Sequence, residues 1–189
     1  MEKKYVWYVV YGSNMQKERF MKYIEGGFYE VNGKTYKGCA DKSPPLKDKP
    51  YLIPYELYFG NKSKTWGGGG VAFIDGSKAG VTLGCAYLIT EDQFIEIREQ
   101  EGSSDKWYGH TVTLAHSYGD FIYVTITQTQ ENREDNPAND NYLKIMHKGL
   151  CETYPQLEQF AQFKIPIFCQ FGTTDRRFRR GCARPYALF

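Results

Sequence analysis

The sequence has few of the features that mark membrane, metal-binding or disulfide-stapled proteins. No apolar run approaches the roughly 20 residues that cross a bilayer, and residues 1–5 lack the apolar segment of a signal peptide. The five cysteines are scattered without a C-x-x-C pair, and the three histidines stand alone, without a second ligand-type residue at metal spacing. We therefore expect a cytoplasmic protein with reduced thiols, no bound metal and no membrane partner.

The net charge of the chain is also small. A total of 24 Lys and Arg against 22 Asp and Glu leaves a formal charge of +2, too small for the whole surface to attract a polyanion. Positive charge concentrates only at residues 175–180, in the sequence D-R-R-F-R-R. A single basic cluster gives weak support to RNA or DNA binding, so we expect no nucleic-acid partner. The 189 residues, which include 16 Tyr and 12 Phe, suit one well-packed domain over residues 1–189.

The succession of apolar patterns predicts an α+β fold. The predicted strands span residues 5–11, 51–59, 71–74, 81–89, 110–116 and 121–127, and turn formers such as Asp75-Gly76 separate them. The predicted helices span residues 15–24, about 91–100 and 141–152, with a further helix starting at Pro155. Residues 28–50 lack a steady period and predict an irregular excursion or a short hairpin. The pattern favours a strongly curved, mostly antiparallel sheet.

The junction of the first strand and first helix is a candidate binding turn. It reads Tyr11-Gly12-Ser13-Asn14, and the start of a helix leaves backbone N–H groups unpaired at the positive end of the helix dipole. Such a turn can hold a carboxylate or a developing oxyanion without a Lys or Arg, while Ser13 or Asn14 acts as the N-cap. An ordinary capped turn has the same local sequence, so the turn alone does not decide between the two interpretations.

Glu101 is the candidate acid/base. A capping box of Thr90 and Gln93 starts its helix, and Phe94, Ile97 and Glu101 then follow at i, i+3 and i+7, so that Glu101 projects from the apolar stripe. At this position the Glu101 carboxylate loses hydration and lies near the negative end of the helix dipole. Both effects favour the uptake of a proton, which a general base requires. The alternative is that the helix frays at Gly102 and Glu101 reaches water.

The glycine run after Trp66 resembles a phosphate-binding loop only superficially. Residues 67–70 are all glycine, but no Lys-Ser/Thr pair and no helix pattern follow them. The run instead predicts a close approach of two backbones, or of a backbone and a ligand.

Taken together, these segments resemble the γ-glutamylcyclotransferase family. The matching pieces occur in the family's order over about residues 5 to 150. They are Tyr11-Gly12-Ser13-Asn14-Met15, then Tyr58-Phe59-Gly60-Asn61 with Lys64-Thr65-Trp66 before Gly68-Gly69, then Glu99-Gln100-Glu101-Gly102 with Tyr108, and Tyr142-Leu143-Lys144-Ile145 before Gly149.

The resemblance implies a small mixed, mostly antiparallel β-barrel flanked by helices, with the active site in a cavity at one end. It implies that the turn from Tyr11 through Gly12 and Ser13 to Asn14 binds a γ-glutamyl group through backbone atoms. It further implies that Glu101 is the acid/base and that Tyr108 and Tyr142 line the substrate site. The implied reaction needs no cofactor: the α-amine of a γ-glutamyl compound attacks its own γ-carbonyl, which yields 5-oxoproline and a free amine.

Some questions stay open in the sequence. Residues 28–50 and the stretch from Lys164 depart from the family's pattern, and they could close the cavity, change the substrate size or make an oligomer contact such as a homodimer. Family members act on γ-glutamyl amino acids, γ-glutamyl amines, glutathione-like peptides or carrier-bound γ-glutamyl groups, and the sequence does not select among these small-molecule substrates. The alternative function is a non-catalytic protein of the same fold that binds a small acidic metabolite, and only Glu101 separates the two.

Overall fold

The computed structural model describes residues 3–115 and 121–157, which form one five-stranded sheet, one two-stranded hairpin and three α-helices. The elements follow in the order β1 (Tyr5–Val10), α1 (Lys17–Glu25), β2 (Gly27–Tyr29), β3 (Lys34–Tyr36), β4 (Lys47–Gly60), β5 (Val71–Thr90), α2 (Glu91–Glu101), β6 (His110–Ala115), β7 (Tyr123–Thr127) and α3 (Asp140–Thr153). This confirms the predicted α+β class. None of the described helices is long and apolar enough to cross a membrane.

The large sheet has the strand order β4-β5-β1-β7-β6. Only β1 and β7 run parallel, and the other neighbours are antiparallel, which confirms the mixed, mostly antiparallel sheet. Among the described residues no backbone ladder closes this sheet into a barrel. Its curvature nevertheless brings β7 to the start of β5, where the Thr127 hydroxyl accepts from the Ile74 N–H at 3.1 Å and donates to the Ile74 carbonyl at 2.9 Å.

The strands predicted at 71–74 and 81–89 are a single strand, so the predicted turn at Asp75-Gly76 is wrong. β5 runs without a break from Val71 to Thr90 opposite β4. Residues 76–78 of β5 leave the ladder as a bulge between the pairs of Asp75 with Glu56 and of Ala79 with Tyr55, and such a bulge bends a strand pair without ending it. β4 also begins at Lys47, earlier than predicted. It tolerates Pro50 and Pro54 because it is an edge strand with one unpaired side.

Residues 28–50 contain a short hairpin, which is one of the two alternatives predicted for this segment. β2 and β3 pair in antiparallel fashion from Gly27 with Tyr36 to Tyr29 with Lys34. The predicted helices at 91–100 and 141–152 are confirmed as α2 and α3, the former with its capping box of Thr90 and Gln93 in place. The helix predicted from Pro155 extends beyond the described residues, and the basic cluster at 175–180 lies outside them.

The turn after β1 is held between helices. α1 begins at Lys17 rather than at Met15, because Ser13–Met15 first form a 3-10 turn. α3 packs directly on this turn at Gly149, where an added Cβ would lie 2.4 Å from the backbone nitrogen of Gln16. Only glycine permits that approach, so α3 fixes the position of the turn.

Candidate active site

A cavity of about 430 Å³ lies at the end of β1. Its wall includes every site residue predicted from the sequence, namely Tyr11, Gly12, Ser13, Asn14, Glu101, Tyr108 and Tyr142. These residues come from the β1 turn, the end of α2, the loop after it and α3. The fold therefore brings together the separate motifs on which the resemblance rests, while the chemical role of each residue stays a prediction.

Asn14 and Glu101 are in direct contact across the cavity. The Asn14 Nδ2 donates a hydrogen bond to Oε1 of Glu101, although the two residues are 87 positions apart in the sequence. Glu101 is the last residue of α2, and Gly102 ends the helix there with a φ of 93°. The helix thus stays intact up to Glu101, whose half-buried carboxylate lies in the cavity wall.

The turn offers unused hydrogen-bonding groups. In residues 3–115 and 121–157, no hydrogen bond uses the backbone N–H of Gly12 or Asn14. The Asn14 Oδ1 is also buried without a partner in the same part of the chain. The expected N-cap role of Ser13 or Asn14 is wrong, since the Gln16 side chain caps α1 by accepting from the Arg19 N–H. Both side chains instead face the cavity, where Ser13 accepts from Arg19 and Asn14 donates to Glu101.

Tyrosine hydroxyls anchor the cavity wall to the sheet. The Tyr142 hydroxyl accepts from the Ala72 N–H at 3.0 Å, and the Tyr108 hydroxyl donates to the Ala72 carbonyl at 2.9 Å. Tyr11 donates to the Ile126 carbonyl at 2.6 Å. Asn139 caps α3 by accepting from the Tyr142 N–H at 2.8 Å, which fixes where Tyr142 enters the cavity.

The glycine run after Trp66 confirms the predicted close approach of two backbones. A Cβ on Gly70 would lie 1.9 Å from the carbonyl oxygen of Asn136, and the Gly70 N–H donates to the Pro137 carbonyl at 2.9 Å. The Asn139 Nδ2 also donates to the carbonyl of Trp66. These contacts hold residues 62–66, one side of the cavity, against the loop that leads into α3.

Four tyrosines, which we call the cavity tyrosines, are chemically unable to act as bases near neutral pH. In Tyr8, Tyr11, Tyr23 and Tyr108, desolvation by burial is the largest effect and raises the pKa well above its ordinary value of 10. The negative charge of Glu101 raises the pKa of each one further. Their hydroxyls therefore stay protonated and serve as neutral hydrogen-bonding groups.

Arg19 is the site residue that the sequence interpretation missed. Its side chain lines the cavity, is only 5 % exposed, and donates from Nε to the Ser13 hydroxyl at 2.9 Å. Its terminal nitrogens donate to the hydroxyls of Tyr36 at 2.6 Å and Tyr23 at 3.2 Å. The guanidinium carbon also lies within 6 Å of four aromatic rings, those of Tyr23, Tyr29, Tyr36 and Trp66, at 5.4 to 5.9 Å.

Arg19 remains a cation in this setting. Burial by itself lowers the pKa of the guanidinium, but the neighbouring Tyr23, Tyr36 and Glu101 outweigh burial and leave the pKa above its ordinary value. A signal for Arg19 was present in the sequence, because it falls four residues before Tyr23 on the buried stripe of α1. The same spacing argument that singled out Glu101 would have found it.

The remaining ionisable groups of the cavity wall are mostly basic. Lys34 and Tyr36 come from the hairpin, so part of the segment that departs from the family's pattern forms one side of the cavity. Lys62 and Lys64 lie in the opposite segment, and Glu99 is an exposed carboxylate near Glu101. Within the described residues, His, Cys and Asp do not line this cavity, and no group of three or more His, Cys, Asp or Glu residues could hold a metal ion.

No model of a known protein family matches this chain. It is 41 % identical over 174 residues to histone deacetylase 5 of Arabidopsis thaliana; the match covers 86 % of this chain and 26 % of that protein. The chain thus spans about a quarter of the length of the curated relative that it matches.

Two solved structures share the fold. One is described as a gamma-glutamyl cyclotransferase and is 25 % identical to this chain, with a TM-score of 0.58 over 86 % of this chain and 88 % of that one. The other is an uncharacterized protein, loc79017, from Homo sapiens, 24 % identical with a TM-score of 0.59 and the same coverage of both chains. Both likenesses agree with the resemblance seen in the sequence.

Proposed function

We propose that this chain, which shares the fold of a solved gamma-glutamyl cyclotransferase, converts a γ-glutamyl compound into 5-oxoproline and a free amine. The observation that carries this proposal is the contact of Asn14 with the Glu101 carboxylate, beside a turn whose N–H groups are unused. A carboxylate and a set of N–H donors on one small cavity are the two parts that this cyclisation requires.

Glu101 moves the proton in the proposed reaction. It takes a proton from the α-ammonium of the substrate, and the freed amine nitrogen attacks the γ-carbonyl carbon to close the five-membered ring. The carbonyl oxygen becomes an oxyanion in this step. Glu101 then returns the proton to the leaving nitrogen as its bond to the γ-carbon breaks, and the carbonyl re-forms. The ring nitrogen, which still carries two protons, gives one of them to Glu101, which passes it to the freed amine and so becomes a carboxylate again beside the neutral nitrogen of 5-oxoproline.

Asn14 supports Glu101 in two ways. Its Nδ2 holds one carboxylate oxygen of Glu101 in place, and its unpartnered Oδ1 supplies a second acceptor for the ammonium. The unused N–H groups of Gly12 and Asn14 bind the substrate carboxylate or the oxyanion. Glu101 is preferred to other candidate bases because the cavity tyrosines stay protonated and Glu99 is exposed.

The cavity suits an intramolecular reaction. Its volume of about 430 Å³ lies in the range of small-molecule sites. Since amine and carbonyl belong to the same molecule, much of the rate acceleration comes from holding the folded-back conformer in which the two are in contact. Tyr108 and Tyr142 line the substrate site and are fixed through Ala72, so they give this conformer a rigid wall.

The alternative function is non-catalytic binding of a small acidic metabolite in the same cavity. The unused N–H groups and Arg19 fit that function as well as they fit catalysis, and only the placement of Glu101 favours catalysis. The deacetylase activity in the name of the Arabidopsis thaliana protein is not proposed for this chain, because the match covers about a quarter of that protein.

The test is mass-spectrometric detection of 5-oxoproline from a panel that contains a γ-glutamyl amino acid, a γ-glutamyl amine and glutathione. We expect product from at least one member, and the same rate from Glu99→Gln, which removes a carboxylate from the cavity edge as a matched control. Absence of product from every member, with measurable binding of 5-oxoproline, would overturn the enzymatic proposal in favour of metabolite binding.

A further inference from the structure

Arg19 is a buried cation without a carboxylate partner. Among the described residues no Asp or Glu oxygen lies within 4.0 Å of its guanidinium, although the side chain is only 5 % exposed. Burying an unpaired charge is costly, and an apolar side chain would fill the same space without that cost. The hydroxyls and aromatic rings around Arg19 reduce the cost but carry no negative charge, and the Glu101 carboxylate acts on the cation without a direct ion pair.

We propose that Arg19 is the countercharge for the α-carboxylate of the substrate, an inference that rests on the proposed cyclisation. In the free protein the charges of Arg19 and Glu101 balance. When Glu101 takes the ammonium proton it becomes neutral, and the α-carboxylate is then the anion that faces Arg19. The Arg19 cation thus has an anion to balance it at both stages, first the Glu101 carboxylate and then the substrate carboxylate.

The hydrogen bonds of Arg19 lead from the cation to the binding turn. Its Nε donates to the Ser13 hydroxyl, and one terminal nitrogen donates to the Tyr23 hydroxyl. The Tyr23 hydroxyl also bonds the Glu101 carboxylate, and the Ser13 hydroxyl bonds that of Tyr142, so these contacts hold the guanidinium beside the turn. Ser13 also belongs to the turn that carries the unused N–H groups of Gly12 and Asn14. Arg19 thus acts as a positioning residue whose charge, fixed beside this turn, favours an anionic ligand over a neutral one of the same shape.

A purely structural role makes a different prediction. The Tyr36 hydroxyl accepts from Arg19 and from the Asn32 Nδ2 at 2.9 Å, so Arg19 also ties α1 to the hairpin. If that were its whole contribution, removing the charge would change the stability of the fold but would leave the preference for a carboxylate ligand intact.

The experiment compares the binding of 5-oxoproline and of its carboxamide, 5-oxoprolinamide, by titration calorimetry. These ligands have the same ring and differ in the charge of one group. We expect the wild type to bind the carboxylate about 10- to 100-fold more tightly, which corresponds to one charge-assisted hydrogen bond. Arg19→Met should remove this preference, Arg19→Lys should keep part of it, and Lys22→Met, which removes a charge from the same helix outside the cavity, should keep all of it.

Several results would overturn the inference. These are an equal affinity of the wild type for the two ligands, no binding of either ligand, or an unchanged preference in Arg19→Met. If Arg19→Met does not fold, Arg19→Lys decides: the proposal requires a higher KM with a smaller change in kcat, whereas unchanged values of both refute it. Because calorimetry needs no turnover, failure to form 5-oxoproline is a separate outcome that concerns Glu101 and not Arg19.

Discussion

Replacing Gly12 with alanine tests how the binding turn is supported. A Cβ at this position would lie 2.8 Å from the Tyr142 hydroxyl, 3.4 Å from the Ala72 Cβ and 4.0 Å from the Tyr142 Cζ. The φ of Gly12 is −113°, a value that alanine adopts, so the effect comes from contact and not from the backbone. The Tyr142 side chain is 2 % exposed and its hydroxyl is bonded to the Ala72 N–H, so it cannot move without losing that bond.

The magnitude follows from the lost hydrogen bond. A buried N–H left without a partner costs about 1–3 kcal/mol, which is the expected loss in the free energy of unfolding for Gly12→Ala. Tyr142→Phe gives up the same bond without a clash. In the Tyr142→Phe background the new methyl meets only the ordinary contacts at 3.4 and 4.0 Å, so Gly12→Ala should then cost less than about 1 kcal/mol. The expected coupling between the two changes is about 1–2 kcal/mol.

The assay is urea unfolding of the wild type, both single variants and the double variant, together with the rate of 5-oxoproline formation. We expect the rate to fall about 10- to 100-fold in Gly12→Ala, because the displaced Tyr142 lines the substrate site. Strictly additive unfolding free energies would show that the Tyr142 hydroxyl is not what the methyl group meets, and the account of the turn would be wrong.

Two further predictions concern stability. Thr90→Ala removes the side-chain cap from α2, the helix that ends at Glu101, and should lower the free energy of unfolding by about 1 kcal/mol; an unchanged midpoint in thermal unfolding followed by circular dichroism would contradict this. Stability should also fall as the pH rises above about 9, because burial raises the pKa of Cys39, of Cys85 and of each cavity tyrosine in the folded state and the unfolded chain loses those protons first. Urea unfolding between about pH 8 and 11 checks the sign, and a rise above about pH 9 would refute it.

Much of the fold could be predicted because its signals are local. The capping box at Thr90 and the stripe of Phe94, Ile97 and Glu101 are contained in one helix, and the structure has both that helix and its end at Gly102. The continuous β5 could not be predicted in the same way. Asp75-Gly76 has the composition of a turn, but residues 76–78 form a bulge in β5, after which its pairing with β4 continues from Ala79 opposite Tyr55.

The same difference between local signals and long-range contacts applies to the candidate site. The turn and Glu101 each carried a local signal, but their contact joins residues 87 positions apart and required the fold. Arg19 was missed because a charged residue in a helix is usually solvated, although its position four residues before Tyr23 marked the buried face. The part of the cavity wall that Lys34 and Tyr36 form was not predicted, because residues 28–50 show no hydrophobic periodicity that would place a strand there.

The central claim, that Glu101 moves the proton, is tested most directly by Glu101→Gln. The amide keeps the size of the side chain and an oxygen that can accept from the Asn14 Nδ2, so the variant should fold and, having lost a negative charge, bind 5-oxoproline at least as tightly as the wild type does. Loss of a general acid/base predicts a fall of about 100- to 10,000-fold in the rate of 5-oxoproline formation. A rate equal to that of the wild type, measured by mass spectrometry on the same substrate, would contradict the account.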